Sequence, residues 1–182
     1  NYVRTADLVI LAFDGSSDDA PEETLNVIQQ LDARKTLLSD KTGYDEGDFS
    51  NLQVKSLLVV TRAEDPDADL RVSLLGEISP RSLPTFHVEL QSRRQCDSLR
   101  RTIFESLGLI RVYTKAPGKP PVYEAPFAIP VGSTVETLAE RVHDEFVERL
   151  KFAKVWGSGG HDGQQVGRDH ALNDGDMVEL HV

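Results

Sequence analysis

Four residues, Thr61-Arg62-Ala63-Glu64, stand where an apolar run, Leu57-Leu58-Val59-Val60, meets Asp65-Pro66-Asp67. A short buried strand that ends in polar side chains just before a helix is where open α/β sheets gather their ligand-binding groups. Arg62 offers a planar guanidinium, Glu64 a carboxylate and Thr61 a hydroxyl. The plainer reading is a solvated loop, with Glu64 near a helix N-terminus where the dipole favours it. At the level of sequence both readings stay open.

A second group of candidates is cationic. Arg111, Lys115, Lys119, Lys151 and Lys154 lie in and around expected strands, whose alternate positions share a side. They make either a basic face for RNA or a partner, or scattered surface charge. His161, Asp162 and His170 flank a Gly-containing stretch without any recognised zinc spacing, so a solvated loop is expected and no metal site. Cys96 has no histidine partner nearby in the sequence, and no catalytic residue is assigned. His143, beside Ala139 and Phe146, reads as a half-buried packing residue, and Trp156 as core.

The chain of 182 residues carries a formal net charge of -10, which argues against a broad grip on nucleic acid backbones and excludes DNA as an expected partner. A local basic patch remains compatible with that balance. One cysteine allows no internal disulfide and suits a reducing, cytoplasmic setting. No apolar run approaches bilayer length, so no membrane partner is expected. Asn1 is not an initiator residue, and a piece of a longer protein is the expectation.

The elements that must position these groups fall into two sets. Residues 1–108 repeat strand then helix: Leu8–Phe13 followed by a helix with Leu25, Ile28 and Leu31; Leu57–Val60 followed by a helix whose buried stripe is Leu70, Leu74 and Ile78; Thr85–Val88 followed by a helix with Leu99, Ile103 and Leu107. Apolar strands alternating with amphipathic helices imply an α/β fold with a parallel sheet covered on both faces. Residues 39–51 are polar and read as a surface insertion. Residues 109–182 switch pattern: a strand at Ile110–Thr114, a turn at 117–121, a returning strand Val122–Ile129, and a capping box Ser133-Thr134-Val135-Glu136. The box opens one helix with Val135, Leu138, Val142 and Phe146 on its apolar side. Strands at Phe152–Trp156 and Met177–Leu180, with a turn at Asn173–Asp176, complete an α+β domain.

The stretches LGLIRVYTKAPGKPP (107–121), GSTVETLAERVH (132–143) and FAKVWGSGGHDGQQVGRDHALNDGDMVEL (152–180) together resemble the C-terminal TGS domain of the developmentally regulated GTP-binding proteins, within the Obg-related GTPases. The resemblance implies a ubiquitin-like β-grasp fold for 109–182. It also implies a translation-associated module that contacts ribosome, RNA or a regulatory protein. Upstream, RTADLVILAFDG (4–15) is similar to the strand that follows switch II, so residues 1–108 correspond to the second half of a P-loop GTPase-like sheet. GTP or GDP with magnesium is then implied for a parent protein whose upstream half is intact, and no cofactor for this chain alone.

In that family the strand at 57–60 leads into the guanine-reading motif N-K-x-D, so Thr61, Arg62, Ala63 and Glu64 occupy its positions. Glu64 keeps a carboxylate with one methylene too many, and Thr61 lacks an amide's donor and acceptor pair. The family's next element, Ser-Ala, falls on Glu89-Leu90, and Glu89 sets a like charge near any phosphate. No G-x-x-x-x-G-K-[ST] occurs in the chain, so the expectation is that it does not hydrolyse GTP alone. Asp40-Lys41-Thr42-Gly43 spells D-x-x-G but sits in the polar stretch. Either this is the TGS-bearing portion of a GTPase, or a non-enzymatic interaction protein on a degenerate G-domain scaffold.

Overall fold

The computed structural model describes residues 2–45, 47–157 and 163–182, of which the side chains of Asp45 and Asp48 are left aside. The chain divides into two compact units, Asn1–Leu107 and Gly108–Val182.

The first unit is a mixed sheet with helices on both faces. Strand β1 (Val9–Asp14) pairs in parallel with β4 (Asp48–Thr61), and β4 pairs in parallel with β5 (Thr85–Val88) on its other side. Helix α1 (Ala20–Ala33) follows β1, and α2 (Ala68–Ile78) joins β4 to β5. Two right-handed crossovers made in the same direction must lie on one face. Accordingly, Phe13, Leu58, Val60 and Leu75 form one cluster with Leu25. The alternate β4 residues Leu57 and Val59 join Val88 on the other face, under Leu99 and Ile103 of α3 (Arg93–Ser106). This two-sided burial is why β4 reads as an unbroken apolar run.

The expected surface insertion is instead strand. After β2 (Thr36–Ser39), β3 (Gly43–Asp45) pairs antiparallel with the start of β4, which begins at Asp48 rather than Leu57. Backbone pairing needs no apolar side chain, and polar contacts such as Ser39 Oγ to Gln53 Oε1 at 2.8 Å decorate it. The stripe assigned to α2 is also corrected. Leu70, Leu74 and Ile78 are 59%, 44% and 46% exposed, and Ala68 and Leu75 are buried with Val72 beside them. Both sets have helical spacing; the phase was decided by Arg71, whose side chain turns inward to the loops described below.

The second unit is a five-stranded sheet in the order β7-β6-β10-β8-β9. Its strands are β6 (Leu109–Thr114), β7 (Phe127–Pro130), β8 (Phe152–Trp156), β9 (Gln164–Val166) and β10 (Met177–His181). Strand β10 runs parallel to β6 and antiparallel to β8. Helix α4 (Val135–Val142) lays Val135, Leu138 and Ala139 on Ile110, Val112, Ile129, Ala153 and Val178. A hairpin, a helix and returning strands with a central parallel pair make the β-grasp arrangement.

Several expectations change here. The returning strand begins only at Phe127, leaving Val122–Pro126 irregular, because Pro120, Pro121 and Pro126 have no N–H for a ladder. The capping box uses Thr134 and Thr137 rather than Ser133 and Glu136: Thr137 N donates to Thr134 Oγ1 and Thr134 N to Thr137 Oγ1, both at 3.4 Å. The expected single helix breaks at His143, which is exposed, extended (φ -175°), and accepts from Glu145 N to start α5 (Asp144–Arg149). It is a cap, not a packing residue. Trp156 is half-buried on the outer sheet face rather than in the core, and β9 was not foreseen. Thr134→Ala is expected to cost about 1 kcal/mol, read from urea unfolding followed by Trp156 fluorescence.

Candidate functional site

The carboxyl ends of β1 and β4 lie in register, with Asp14 opposite Thr61. Thr61 closes β4 and turns its hydroxyl to Phe13 O at 3.2 Å. Gly15 N donates to Thr61 O at 2.9 Å, so the two loops run in contact. Arg62 takes a left-handed backbone (φ 50°), which costs a residue with a Cβ about 1 kcal/mol. That twist sends its guanidinium back across the gap to Asp14 Oδ2 at 2.8 Å and Ser16 Oγ at 3.0 Å. Asp14 in turn accepts from Ser16 N at 3.0 Å and Ser16 Oγ at 2.8 Å. Those hydrogen bonds from Ser16, then the charges of Arg62 and Arg71, hold its carboxyl below the usual range.

Arg71, the third residue after Ala68 in α2, ties the same two loops from below. Its NH1 donates to Gly15 O and Asp65 Oδ1, each at 2.7 Å, and its Nε to Asp18 Oδ1 at 2.8 Å. Asp65 also accepts from Asp67 N at 3.0 Å, and the hydrogen bond from Arg71 leads the causes that lower its pKa. Sequence reasoning missed Asp14, Ser16, Asp18, Asp65 and Arg71. The one available signal was the pair of short polar runs Asp14-Gly15-Ser16 and Asp65-Pro66-Asp67, the first at the end of an apolar strand and the second four residues beyond one.

Among the five expected nucleotide positions, Thr61 and Arg62 belong to this ionic cluster. Glu64 is exposed and makes no hydrogen bond or ion pair among the described residues. Glu89 follows β5 at the same end of the sheet, but its N–H already donates to Gln95 Oε1 at 2.8 Å. Leu90 is exposed, and its carbonyl accepts from Cys96 Sγ at 3.4 Å. A guanine base needs a free carboxylate edge and a stacking group, and phosphates need unspent N–H donors. Here the Glu64 carboxylate is free among the described residues, while Arg62 NH1 is drawn to Asp14 and Ser16 and the Glu89 amide to Gln95, so both of these positions are engaged by contacts within the chain. Among the described residues, no three His, Cys, Asp or Glu side chains converge to hold a metal ion. His161 and Asp162 lie outside the described residues.

On the second unit, Arg111, Lys115 and Lys154 share the sheet face opposite the core, since Val112, Ala153 and Val155 point the other way. Lys119 sits in the β6–β7 connection, and Lys151 Nζ reaches Val182 O at 3.4 Å. Two of these cations are paired from within. Arg111 grips Asp174 with Nε at 3.1 Å and NH2 at 2.6 Å, and that contact lowers the Asp174 pKa. Lys115 lies 2.7 Å from Glu179, a 5% exposed residue, and 4.3 Å above the Trp156 ring. Glu179 also meets His181 Nε2 at 2.7 Å, and His181 stacks on Phe152. Tyr113 and Tyr123 meet edge to face on a 5.4 Å centroid distance. Of the five expected cations, Arg111 and Lys115 are paired with carboxylates, and Lys119, Lys151 and Lys154 have no side-chain carboxylate partner among the described residues.

The TGS domain family matches residues 110–182. An uncharacterized GTP-binding protein of Methanocaldococcus jannaschii is 32% identical over 132 residues, covering 72% of this chain and 34% of its own. That alignment is longer than the TGS match and so reaches into the strand–helix unit. Developmentally-regulated GTP-binding protein 1 of Xenopus laevis is 35% identical over 95 residues, 51% of this chain and 26% of its own. GTP-binding protein 1 of Schizosaccharomyces pombe is 40% identical over 85 residues, 46% and 23%. The chain thus spans between a quarter and a third of the length of these relatives. Among the described residues no helix is long and apolar enough to cross a membrane. Residues 110–182 carry a TGS domain, and with the parallel α/β unit before it the chain is homologous to part of the developmentally regulated GTP-binding proteins.

Proposed function

We propose that this chain acts through its TGS domain as a binding module for ribosome, RNA or a regulatory protein, on a strand–helix unit whose guanine-reading loop has become structural. The observation that carries this reading is Arg62: its NH1 is held by Asp14 and Ser16, which gives the side chain at the guanine-reading position a use within the fold. The filled Glu89 amide and the Arg71 cluster support it further. A reducing, cytoplasmic setting belongs to the same reading, supported by Cys96 as a free thiol. A second reading, a parent protein that binds GTP or GDP with magnesium through a P-loop half, is supported by the relatives' names as GTP-binding proteins.

Equilibrium titration of fluorescent GDP, with ADP and XDP as competitors, separates them when run on this chain and on the longest natural product of its gene. The expected result is no guanine-selective binding in either. Displacement by unlabelled GDP alone, lost in Glu64→Ala, would overturn the first reading and establish the second.

A further inference from the structure

The connection between β6 and β7 holds a motif that neither the sheet nor the loop cluster uses. Every residue from Ala116 to Pro126 is exposed, and Pro120-Pro121-Val122-Tyr123 runs outside any helix or strand. Val122 is 54% and Tyr123 64% exposed, two apolar neighbours in open solvent.

The backbone of this stretch is restricted by its own chemistry. Each proline sets φ near -65°, and a residue before proline is driven out of the α region, which applies to Lys119, Pro120 and Ala125. A proline pair therefore starts a polyproline II turn, left-handed and without internal hydrogen bonds. At three residues per turn, Pro120 and Tyr123 fall on one edge. The Tyr123 ring meets Tyr113 edge-on, which limits its rotation while most of its surface stays accessible.

We propose that Pro120–Tyr123 is a docking peptide for a small protein module that reads polyproline II through an aromatic groove of the WW kind, the rings clamping the proline pair and a separate pocket taking the tyrosine. Preset proline geometry lowers the ordering entropy such docking costs. The structure also separates this partner from an SH3-type module. Pro117 and Pro120 spell P-x-x-P, but Gly118 between them has φ 71° and Lys119 N closes a turn onto Ala116 O at 3.0 Å. A left-handed residue in a closed turn interrupts polyproline II, so the P-x-x-P register is broken and the Pro-Pro-x-Tyr register downstream is not. The inference names a partner class for the TGS domain and rests on its reading as a binding module, whatever the nucleotide titration shows.

The test is isothermal titration of the 182-residue chain with a recombinant WW domain that takes Pro-Pro-x-Tyr peptides, beside an SH3 domain. One-to-one binding to the WW domain is expected, weakened about tenfold or more by Pro121→Ala and by Tyr123→Ala and unchanged by Pro117→Ala. Pro121 lies exposed outside the strands and helices, so its replacement tests recognition rather than folding. Absence of binding to the WW domain overturns the proposal, as does binding that survives both substitutions or SH3 binding that depends on Pro117. None of these results bears on GDP, so this proposal and the reading of Arg62 fail separately.

Discussion

Replacing Gly15 with valine is expected to destabilise the first unit by about 3 kcal/mol, and with alanine by about 2 kcal/mol. A Cβ at this position would stand 2.8 Å from Thr61 O, 3.1 Å from Arg62 O and 3.1 Å from the Ala68 Cβ. Two of the three are backbone carbonyls at the end of β4, so relief requires the loops to part. Parting them breaks the Gly15 N–Thr61 O bond and withdraws Gly15 O from Arg71. The measurement is urea unfolding followed by far-UV circular dichroism. A loss under about 1 kcal/mol would show that the β1–α1 loop shifts without cost and that the cluster is no lock.

Lys115→Ala is expected to cost about 2 kcal/mol at neutral pH, because it leaves the nearly covered Glu179 carboxylate with only the His181 ring beside it. Replacing both partners, as Lys115→Met with Glu179→Leu, should recover most of that loss, since a buried pair is costly to break but not to exchange for apolar groups. The pH dependence has a definite sign. The hydrogen bond from Lys115 holds the Glu179 carboxyl below its ordinary value of 4.5, outweighing burial, with His181 adding to the effect. A folded-state value below the unfolded one gives stabilisation that is complete above pH 4.5 and lost as the pH falls through the folded value. The gap between wild type and Lys115→Ala therefore closes in acid. The single tryptophan, Trp156, lies beneath the Lys115 ammonium and reports both the local contact and the unfolding transition by fluorescence. A gap that stays constant from pH 7 to below 4 would show that the ion pair carries none of it.

Much of the fold was legible because its signals are local. Leu57–Val60 is apolar without interruption since a strand covered on both faces has no solvent side, and Leu8–Phe13 is equally apolar although Ile10 is 47% exposed. The β-grasp unit was legible through its turns: Asn173–Asp176 is held by Asp176 Oδ2 accepting from Asn173 N at 2.8 Å, a contact between neighbours in the chain. Where the signal was degenerate, the reading failed. Helix α2 carries two apolar stripes, and the one at Leu70, Leu74 and Ile78 is the outer one. The β3–β4 hairpin is polar, and ladder hydrogen bonds leave no mark on composition. The strand expected over Val122–Ile129 obscured the irregular proline-containing stretch before Phe127, because aliphatic and aromatic residues look alike in a strand and in an exposed segment.

By itself the sequence determined the order of the apolar strands and main helices, though not β2, β3, α5 or β9, together with the change of architecture near Gly108 and the kinship with developmentally regulated GTP-binding proteins. Only the tertiary structure decided what the charged groups do. Arg62 meets Asp14 across 48 positions, Arg71 meets Gly15 across 56, and Arg111 meets Asp174 across 63. A local pattern encodes whether a segment is strand or helix, since that depends on neighbours within a few residues. The partner of a guanidinium depends on which distant segment the packed sheet brings within 3 Å, and that is a property of the assembled fold.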